Sequence, residues 1–203
     1  MFGDLKVNNK NFETATIKDY FDVGSSKRVF EKDWTKSGVP FYRAREVVKL
    51  AENGFVENEL YISDEMYNEY TSKYGKPCTD DIIVTAVGTL GKTYIVKPND
   101  KFYYKDGNII LLHKIKNISS IYVNYLYQTD FIKDQIVKTA NIITVGTYTI
   151  KNAKDTAIIV PPIELQNKFA DFVKHIDKLK FTIKQSIEKL ELCYKSLMKE
   201  YFD

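Results

Sequence analysis

The most regular pattern of apolar positions lies at the C-terminal end, where apolar residues recur in alternating steps of four and three. Such alternation is the heptad pattern of a helix that pairs with another helix. Its apolar positions are Leu165, Phe169, Phe172, Ile176, Leu179, Ile183, Leu190 and Leu197. Neither proline nor glycine follows Pro162, so the pattern predicts one uninterrupted helix of roughly 60 Å over residues 161–203.

This seam exposes more apolar surface than one small domain can cover, so it predicts pairing with a second helix. Ser186 and Cys193 take two inner positions of the seam, whereas Ile187, Tyr194 and Tyr201 widen it on one side. A wider stripe favours contact with more than one helix or with another subunit. The alternative is a long helix that folds back against its own domain.

Before Pro161 the apolar positions follow shorter and less regular patterns, in a stretch rich in Tyr, Ile, Val and Thr. Alternation of apolar and polar residues predicts strands, and turn-forming residues mark the breaks between them. The predicted strands cover residues 17–23, 39–42, 81–87, 93–96, 142–145 and 157–160, and a hairpin about Asp106 and Gly107 joins 101–104 to 108–112.

Helical signals in this part of the chain are fewer. Residues 64–74 predict a short helix capped by Ser63, and residues 119–131 fit either a helix or a strand because they are rich in β-branched and aromatic residues. Pro161 and Pro162 then mark a boundary. We therefore predict an α+β fold, in which a small irregular mixed-sheet domain (residues 1–160) precedes a long coiled-coil helix (residues 161–203).

Composition narrows the class of protein only slightly. The chain has 203 residues and 44% hydrophobic residues, enough for a globular core, and a formal net charge of only +3. Cys78 and Cys193 form neither a metal-binding spacing nor a secretory disulfide framework. The N-terminus lacks the apolar run of a signal peptide, and no stretch approaches a membrane span. We expect a reduced, cytoplasmic protein.

Residues 86–93, AVGTLGKT, loosely fit a phosphate-binding loop. Such a loop needs a helix directly after the Lys-Thr pair, because the helix N-terminus holds the phosphates. The residues that follow, 94–98, are strand-like and end in proline. The favoured interpretation is a glycine turn between two strands that presents Lys92 to solvent; the alternative is an enzyme that uses this loop.

Two other segments combine cations with small or aromatic residues. Residues 24–28, GSSKR, follow a predicted strand, and small residues there allow the backbone to approach phosphates. If strand 39–42 continues, Arg43 and Arg45 project from one face, and arginine has the forked N–H groups that bind a guanine edge. The alternative is that each cation is an ordinary solvated surface charge.

Catalytic signals are weak. His113 and His175 each stand alone in the sequence, without a nearby Cys or a second His. The pattern contains no Ser-His-Asp grouping, paired carboxylates or cofactor loop that is readable from spacing. We therefore predict a non-catalytic protein, with no metal and no cofactor.

Four segments, in this order, resemble one family. Residues 24–28 resemble the family's Gly/Ser-rich first loop, and residues 38–43 (GVPFYR) resemble its G-I/V-P-F/W-hydrophobic-R/K strand. Residues 80–92 resemble its GD-hydrophobic-GxxG hairpin, and residues 161–169 (PPIELQNKF) resemble its PPLxEQ-type entry to a long helix. This ordered set resembles the specificity (S) subunits of type I restriction–modification systems, over almost the whole chain. The segment 80–92 also explains the loose match to a phosphate-binding loop.

The resemblance implies a DNA-recognition role. Such S subunits hold two target-recognition domains, each followed by a long helix; the helices pack antiparallel, methyltransferase (M) subunits attach, and restriction (R) subunits can join. This chain has one domain and one helix, either as a natural half-subunit or as the C-terminal half of a longer one. A homodimer would rebuild a two-domain reader of a bipartite inverted repeat in double-stranded DNA. Deleting one heptad, such as residues 176–182, is then expected to shorten the gap between half-sites.

Loop position and residue chemistry select the expected DNA contacts. The stronger candidates are Lys27, Arg28, Arg43, Arg45 and Lys92, and the weaker ones are Ser25, Tyr42, Thr89 and Tyr94. The eight seam residues above are the expected dimerisation contacts, and other faces of the same helix are expected to meet M subunits. The alternative is an interaction protein that binds M subunits and no DNA, although a DNA mimic would be markedly acidic.

Overall fold

The computed structural model describes residues 1–139 and 146–202. The strands in these ranges are short. In chain order they are β1 (Glu13–Thr16), β2 (Phe21–Gly24), β3 (Val39–Tyr42), β4 (Tyr61–Ile62), β5 (Ile82–Thr85), β6 (Thr93–Ile95), β7 (Tyr103–Tyr104), β8 (Ile109–Lys114) and β9 (Ala157–Val160).

Short helices connect these strands, and one long helix follows them. In chain order they are α1 (Ala44–Asn53), α2 (Asp64–Tyr74), α3 (Ser120–Leu126), α4 (Asp130–Thr139), α5 (Ile150–Asp155) and α6 (Ile163–Phe202). Single 3₁₀ turns form at Ile17–Asp19 and Glu31–Asp33. None of the helices in the described ranges combines the length and the hydrophobicity that crossing a bilayer needs.

A four-stranded antiparallel sheet in the order β2-β8-β5-β6 forms the centre of the N-terminal part. Strand β5 lies inside this sheet and is buried on both faces, which is why its apolar residues run consecutively and do not alternate. A second sheet has the order β4-β3-β7, with β3 and β7 parallel. Strands β1 and β9 pair antiparallel, so the segment that leads to α6 is tied to the start of the chain.

The first turns of α6 pack against this α+β part. Gln166 is 1% exposed; its Oε1 accepts a hydrogen bond from the Ser119 N–H at 3.0 Å, and its Nε2 donates to the Pro161 carbonyl at 2.8 Å. One helical turn on, the Phe169 ring lies 5.2 Å from that of Phe2. After Ile176, every residue of α6 through Phe202 is exposed. The helix therefore projects away from the rest of the chain and does not fold back on it.

Several predictions from local patterns are confirmed. Strand β3 covers the predicted residues, and α2 begins after Ser63, whose hydroxyl oxygen accepts from the Met66 N–H as the cap that the pattern predicts. The uninterrupted C-terminal helix is confirmed as α6, and the fold class is α+β. The predicted strand at 142–145 lies outside the described residues.

Other predictions are wrong, each for a local or tertiary reason. The strand expected at 17–23 begins only at Phe21, because the Asp19 carboxylate accepts from the N–H and hydroxyl of Thr16 and closes a turn. The hairpin about Asp106 and Gly107 does not form: β2 and β5 occupy both edges of β8, and β7 pairs with β3 instead. The stretch 119–131, which the pattern left open between helix and strand, is not among these errors: it forms α3 and the start of α4.

Candidate nucleic-acid interface

Three separate segments meet at one end of the four-stranded sheet. Strands β2 and β5 run in one direction and β8 runs in the other, so the chain leaves β2, turns after β5 and enters β8 at the same end. Ser25 Oγ donates to the Ile109 carbonyl at 2.8 Å, and the Ala86 N–H donates to the Asn108 carbonyl at 2.8 Å. We call residues 25–30, 86–92 and 105–108 together the loop end.

The first segment of the loop end is fixed by its backbone and small side chains. Ser26 Oγ donates to the Tyr104 carbonyl at 2.5 Å, and the Lys27 N–H donates to the Tyr103 hydroxyl at 2.9 Å. Burial raises the pKa of Tyr103 to about 12. The serines therefore hold the loop on the sheet, and the long side chains of Lys27 and Arg28 are left to face solvent.

These two cations are positioned by weak, exposed contacts. Lys27 Nζ lies 5.6 Å from the centre of the Tyr74 ring, and Arg28 Nε lies 3.0 Å from Asp106 Oδ2. The Arg28 side chain is 65% exposed. The Asp106 side chain is less exposed, at 18%, but the exposed guanidinium can turn from it toward a phosphate, and pairs of exposed side chains are typically worth about 0–1 kcal/mol.

The second segment is the turn between β5 and β6. The Lys92 N–H donates to Thr85 Oγ1 at 3.0 Å, and the same hydroxyl contacts the Thr89 carbonyl, so Thr85 closes the turn. Gly91 has φ +72°, and a Cβ there would lie 2.5 Å from Ile136 Cδ1, which explains glycine at this position. Strand β6 follows directly, without the helix that phosphate binding needs.

Thr89 is exposed and Lys92 is partly exposed at this turn. Lys92 Nζ lies 3.0 Å from Glu52 Oε1 in an ion pair at the surface. This arrangement is the glycine turn favoured from the sequence, and it contradicts the alternative of a nucleotide-binding enzyme loop. Ser25, Lys27, Arg28, Thr89 and Lys92 thus all lie at the loop end, although the chain supplies them from two distant segments.

Arg43 and Arg45 are placed differently from the expectation. Strand β3 ends at Tyr42, and α1 begins at Ala44, because the Glu46 carboxylate accepts from the Arg43 N–H at 2.9 Å and stabilises a helix start. The two arginines therefore do not share one face of a strand. Both guanidinium groups bind Glu46, and Arg45 also contacts Glu59.

Glu46 is the centre of this cluster, with a side chain only 6% exposed. Burial acts to raise the pKa of its carboxyl, but the hydrogen bonds from Arg43 and Arg45 outweigh burial, so the pKa lies below its ordinary value. Arg43 in particular, with a side chain 23% exposed, neutralises a buried charge. Binding to Glu46 thus gives both arginines a role in the stability of the fold that does not involve DNA.

The two tyrosines among the expected DNA contacts are buried. Tyr42 stacks on Phe102 with ring centres 4.8 Å apart, and the Tyr94 hydroxyl donates to Asp100 at 2.8 Å. The two residues are 8% and 7% exposed, because both belong to the core between α1 and the sheet. We therefore leave Tyr42 and Tyr94 out of the proposed interface.

Two aromatic residues at or next to the loop end, Phe30 and Trp34, are absent from the contacts expected from the sequence. Phe30 is 56% exposed, and Lys105 Nζ lies 6.0 Å from the Trp34 ring centre. Together with Arg28 and Asn108, these residues line a cavity of about 350 Å³. Lys105 directly precedes the Asp106–Gly107 turn, so the sequence could have predicted a lysine at this turn. The sequence could not have predicted that Lys105 lies close to Trp34.

The long helix presents its apolar seam to solvent. Five of the expected dimerisation residues are largely exposed: Phe172 (58%), Leu179 (45%), Ile183 (58%), Leu190 (69%) and Leu197 (48%). Leu165 and Ile176 are partly buried. Phe169 is partly buried and packs against Phe2 and Tyr125 of its own chain, so less of its ring is left for a partner helix.

Residues 9–192 match the sequence profile of the family described as type I restriction modification DNA specificity domain. The chain is 29% identical over 199 residues to a protein of Haemophilus influenzae provisionally named a type I restriction enzyme specificity subunit, covering 97% of this chain and 47% of the relative. It is 25% identical over 205 residues to a similarly named protein of Methanocaldococcus jannaschii, covering 95% of this chain and 46% of the relative. The chain therefore spans about half the length of these relatives.

Solved structures show the same fold. The type I restriction–modification S subunit from M. genitalium superposes with a TM-score of 0.56 at 16% identity, over 96% of this chain and 46% of that subunit. The HsdS subunit from Thermoanaerobacter tengcongensis gives a TM-score of 0.57 at 13% identity, over 88% and 40%. These likenesses confirm the α+β fold with its long C-terminal helix.

Proposed function

Because the chain belongs to the family of type I restriction–modification DNA specificity domains, we propose that it is a non-catalytic DNA-recognition subunit. In this proposal residues 1–160 bind one half-site, and residues 161–203 form a helix for dimerisation and spacing. The observation that carries it is the convergence of cations from separate segments at the loop end, on a molecule whose α6 projects outward with an exposed apolar seam.

The loop end supports the DNA-binding part of the proposal. Its backbone is held by hydrogen bonds to the sheet, whereas Lys27, Arg28 and Lys105 carry their charges near its surface. Fixed loops with mobile cationic side chains suit phosphates, and an exposed aromatic such as Phe30 suits the sugar or base edges. Ser25 and Thr89 add hydroxyl groups at the same end.

The exposed part of α6 supports pairing. Its seam residues beyond Ile176 are not buried by the rest of the chain. Large apolar side chains at heptad spacing stabilise a pair of helices, because each helix buries the seam of the other. We propose an antiparallel homodimer through this seam. Two domains on a rigid spacer would then recognise a bipartite inverted repeat, with the helix length fixing the gap.

We further propose that M subunits bind other faces of α6, and that R subunits join the assembly through them. Phe181, Leu192 and Phe202 are 61%, 70% and 79% exposed and lie outside the heptad seam. They offer apolar anchors that remain free when the seam is paired.

A selection experiment tests the function. The purified chain, with and without an M subunit from the same host, is mixed with a random duplex pool, and the retained DNA is sequenced. A bipartite inverted repeat would support recognition and pairing together, and a single half-site would support recognition while counting against pairing. No enrichment under either condition would contradict the proposal and favour an interaction protein that binds M subunits alone.

A further inference from the structure

His113 lies between two carboxylates on the outer face of the four-stranded sheet. It stands opposite Asp22 in the register of β2 with β8, and its Nδ1 lies 3.0 Å from each carboxylate oxygen of Asp81, the residue before β5. Residues directly opposite in antiparallel strands project to the same face. The three side chains therefore form a row across β2, β8 and β5.

Cys78 joins this row from the loop between α2 and β5. Its N–H donates to Asp81 Oδ2 at 2.7 Å, and the Lys114 N–H donates to Asp81 Oδ1 at 3.1 Å. One donor atom each from Cys78, Asp81 and His113 lies within 4.8 Å of the others. In the sequence His113 stands alone and predicts no metal, since Cys78 lies 35 residues away; the fold brings the two together.

We propose that Cys78, Asp81 and His113 bind a transition-metal ion of the Zn²⁺ type, with Asp22 or water as the fourth ligand. A thiolate, an imidazole and a carboxylate form a donor set that suits Zn²⁺, whereas Mg²⁺ and Ca²⁺ prefer oxygen ligands alone. One ligand, Asp81, is fixed in the fold and the other two lie at the surface, so the surface ligands can close around an ion that Asp81 binds. Asp81 is 1% exposed and held by two backbone N–H groups, whereas Cys78 and His113 are exposed residues; the Cys78 thiol makes a weak contact of 3.6 Å to the Lys76 carbonyl.

The adjustment that binding requires is small. Donors around a tetrahedral Zn²⁺ lie about 3.3–3.8 Å apart, as follows from metal–ligand bonds of about 2.0–2.3 Å. A separation of 4.8 Å would thus have to contract by about 1.0–1.5 Å, and the 3.0 Å between His113 Nδ1 and the Asp81 carboxylate would widen slightly. The exposed Cys78 and the His113 side chain, which is 46% exposed, can supply this adjustment by rotation about their side-chain bonds.

The ion would join a loop to the sheet. Cys78, His113 and Asp22 line a cleft of about 690 Å³ between the sheet and the end of α2, which Ser25 and Ser26 of the loop end also line. A metal there would fasten residues 75–81 to β8 and hold one wall of the cleft. Binding to the folded state alone would raise stability by mass action.

Cobalt(II) titration of the reduced, full-length chain tests the proposal. The wild-type chain is expected to develop the thiolate-to-cobalt charge-transfer absorption and the visible bands of tetrahedral Co²⁺, which Zn²⁺ abolishes by displacement. Cys78→Ser should remove the charge-transfer band, and His113→Gln should weaken binding at least about 100-fold. Cys193→Ser, which changes the exposed cysteine on α6, is the matched control and should keep the full spectrum.

Thermal unfolding gives a second measurement that needs no chromophore. Zn²⁺ should raise the melting temperature of the wild type and of Cys193→Ser but not of Cys78→Ser, while the three chains melt alike in chelator. Absence of tetrahedral Co²⁺ bands from the wild type would overturn the proposal. So would a charge-transfer band that survives Cys78→Ser and disappears in Cys193→Ser.

Discussion

At the scale of single residues, Lys27 and Arg28 extend from a loop whose backbone is held on the sheet. We predict that Lys27→Ala with Arg28→Ala weakens binding to all duplex DNA and lowers the slope of log affinity against log salt by about 2, since each lost phosphate contact removes about 0.9. Fluorescence anisotropy over a salt series measures both. The control is Lys18→Ala, an exposed lysine paired with Asp155 near the opposite end of β2. An equal loss in that variant would contradict the assignment.

Glu46 provides a second prediction, on stability. Its folded-state pKa is lowered, so its contribution is present above the ordinary carboxyl value of 4.5 and is lost as pH falls through the folded-state value. Glu46→Gln is therefore expected to cost about 1–3 kcal/mol of unfolding free energy at pH 7. The difference from wild type should narrow as pH falls below 4.5.

Urea unfolding at several pH values measures this difference. Glu52→Gln is the matched control, because Glu52 also pairs with a cation but has a side chain 53% exposed. That variant should cost less than about 1 kcal/mol at pH 7. A Glu46→Gln cost that is equally small, or that grows on acidification, would show that the arginine cluster does not depend on the ionised carboxylate.

At the scale of elements, α6 offers a matched pair of leucines. Leu190 lies in the heptad seam and is 69% exposed, and Leu192 lies off it and is 70% exposed. A charge buried in a paired seam costs about 2 kcal/mol or more, so Leu190→Glu should weaken self-association at least about 30-fold. Leu192→Glu should leave it unchanged. Sedimentation velocity over a concentration series measures both, and equal behaviour of the two variants would count against pairing through this seam.

The elements also differ in how far the sequence predicts them. Strand β3 and helix α2 follow from signals inside the segment, such as the cap at Ser63, and the structure agrees. The parallel pairing of β7 with β3 depends on which strands already occupy the edges of β8, and no pattern near Tyr103 reveals that. The start of α1 depends on Glu46 accepting from the Arg43 N–H, a polar signal that periodicity of apolar residues overlooks.

The candidate sites also contain some features that local sequence signals predict and others that depend on tertiary structure. The cations of the GSSKR loop are visible in the sequence because small residues and bases stand together after a strand. The burial of Tyr94 and the packing of Phe169 on Phe2 are tertiary facts, since either residue suits an exposed face equally well by its local pattern. The approach of Cys78 to His113 likewise requires β5 and β8 to be neighbours.

At the scale of the whole molecule, the proposed function requires α6 to hold two DNA-binding parts at a fixed distance. Residues 183–189 are one complete exposed heptad of α6, whereas Ile176, at the start of the preceding heptad, is partly buried. Deleting 183–189 keeps the seam in register and shortens the helix by about 10 Å. At about 3.4 Å per base pair, this corresponds to about three base pairs.

The most direct test is to select duplexes from a random pool with the wild-type chain and with the chain lacking residues 183–189, each in the presence of an M subunit. The account predicts that both chains enrich the same two half-sites and that the spacer between them is about three base pairs shorter for the deleted chain. The same half-sites at unchanged spacing would contradict the role of α6 as the spacer, and no enriched sequence from either chain would contradict DNA recognition itself.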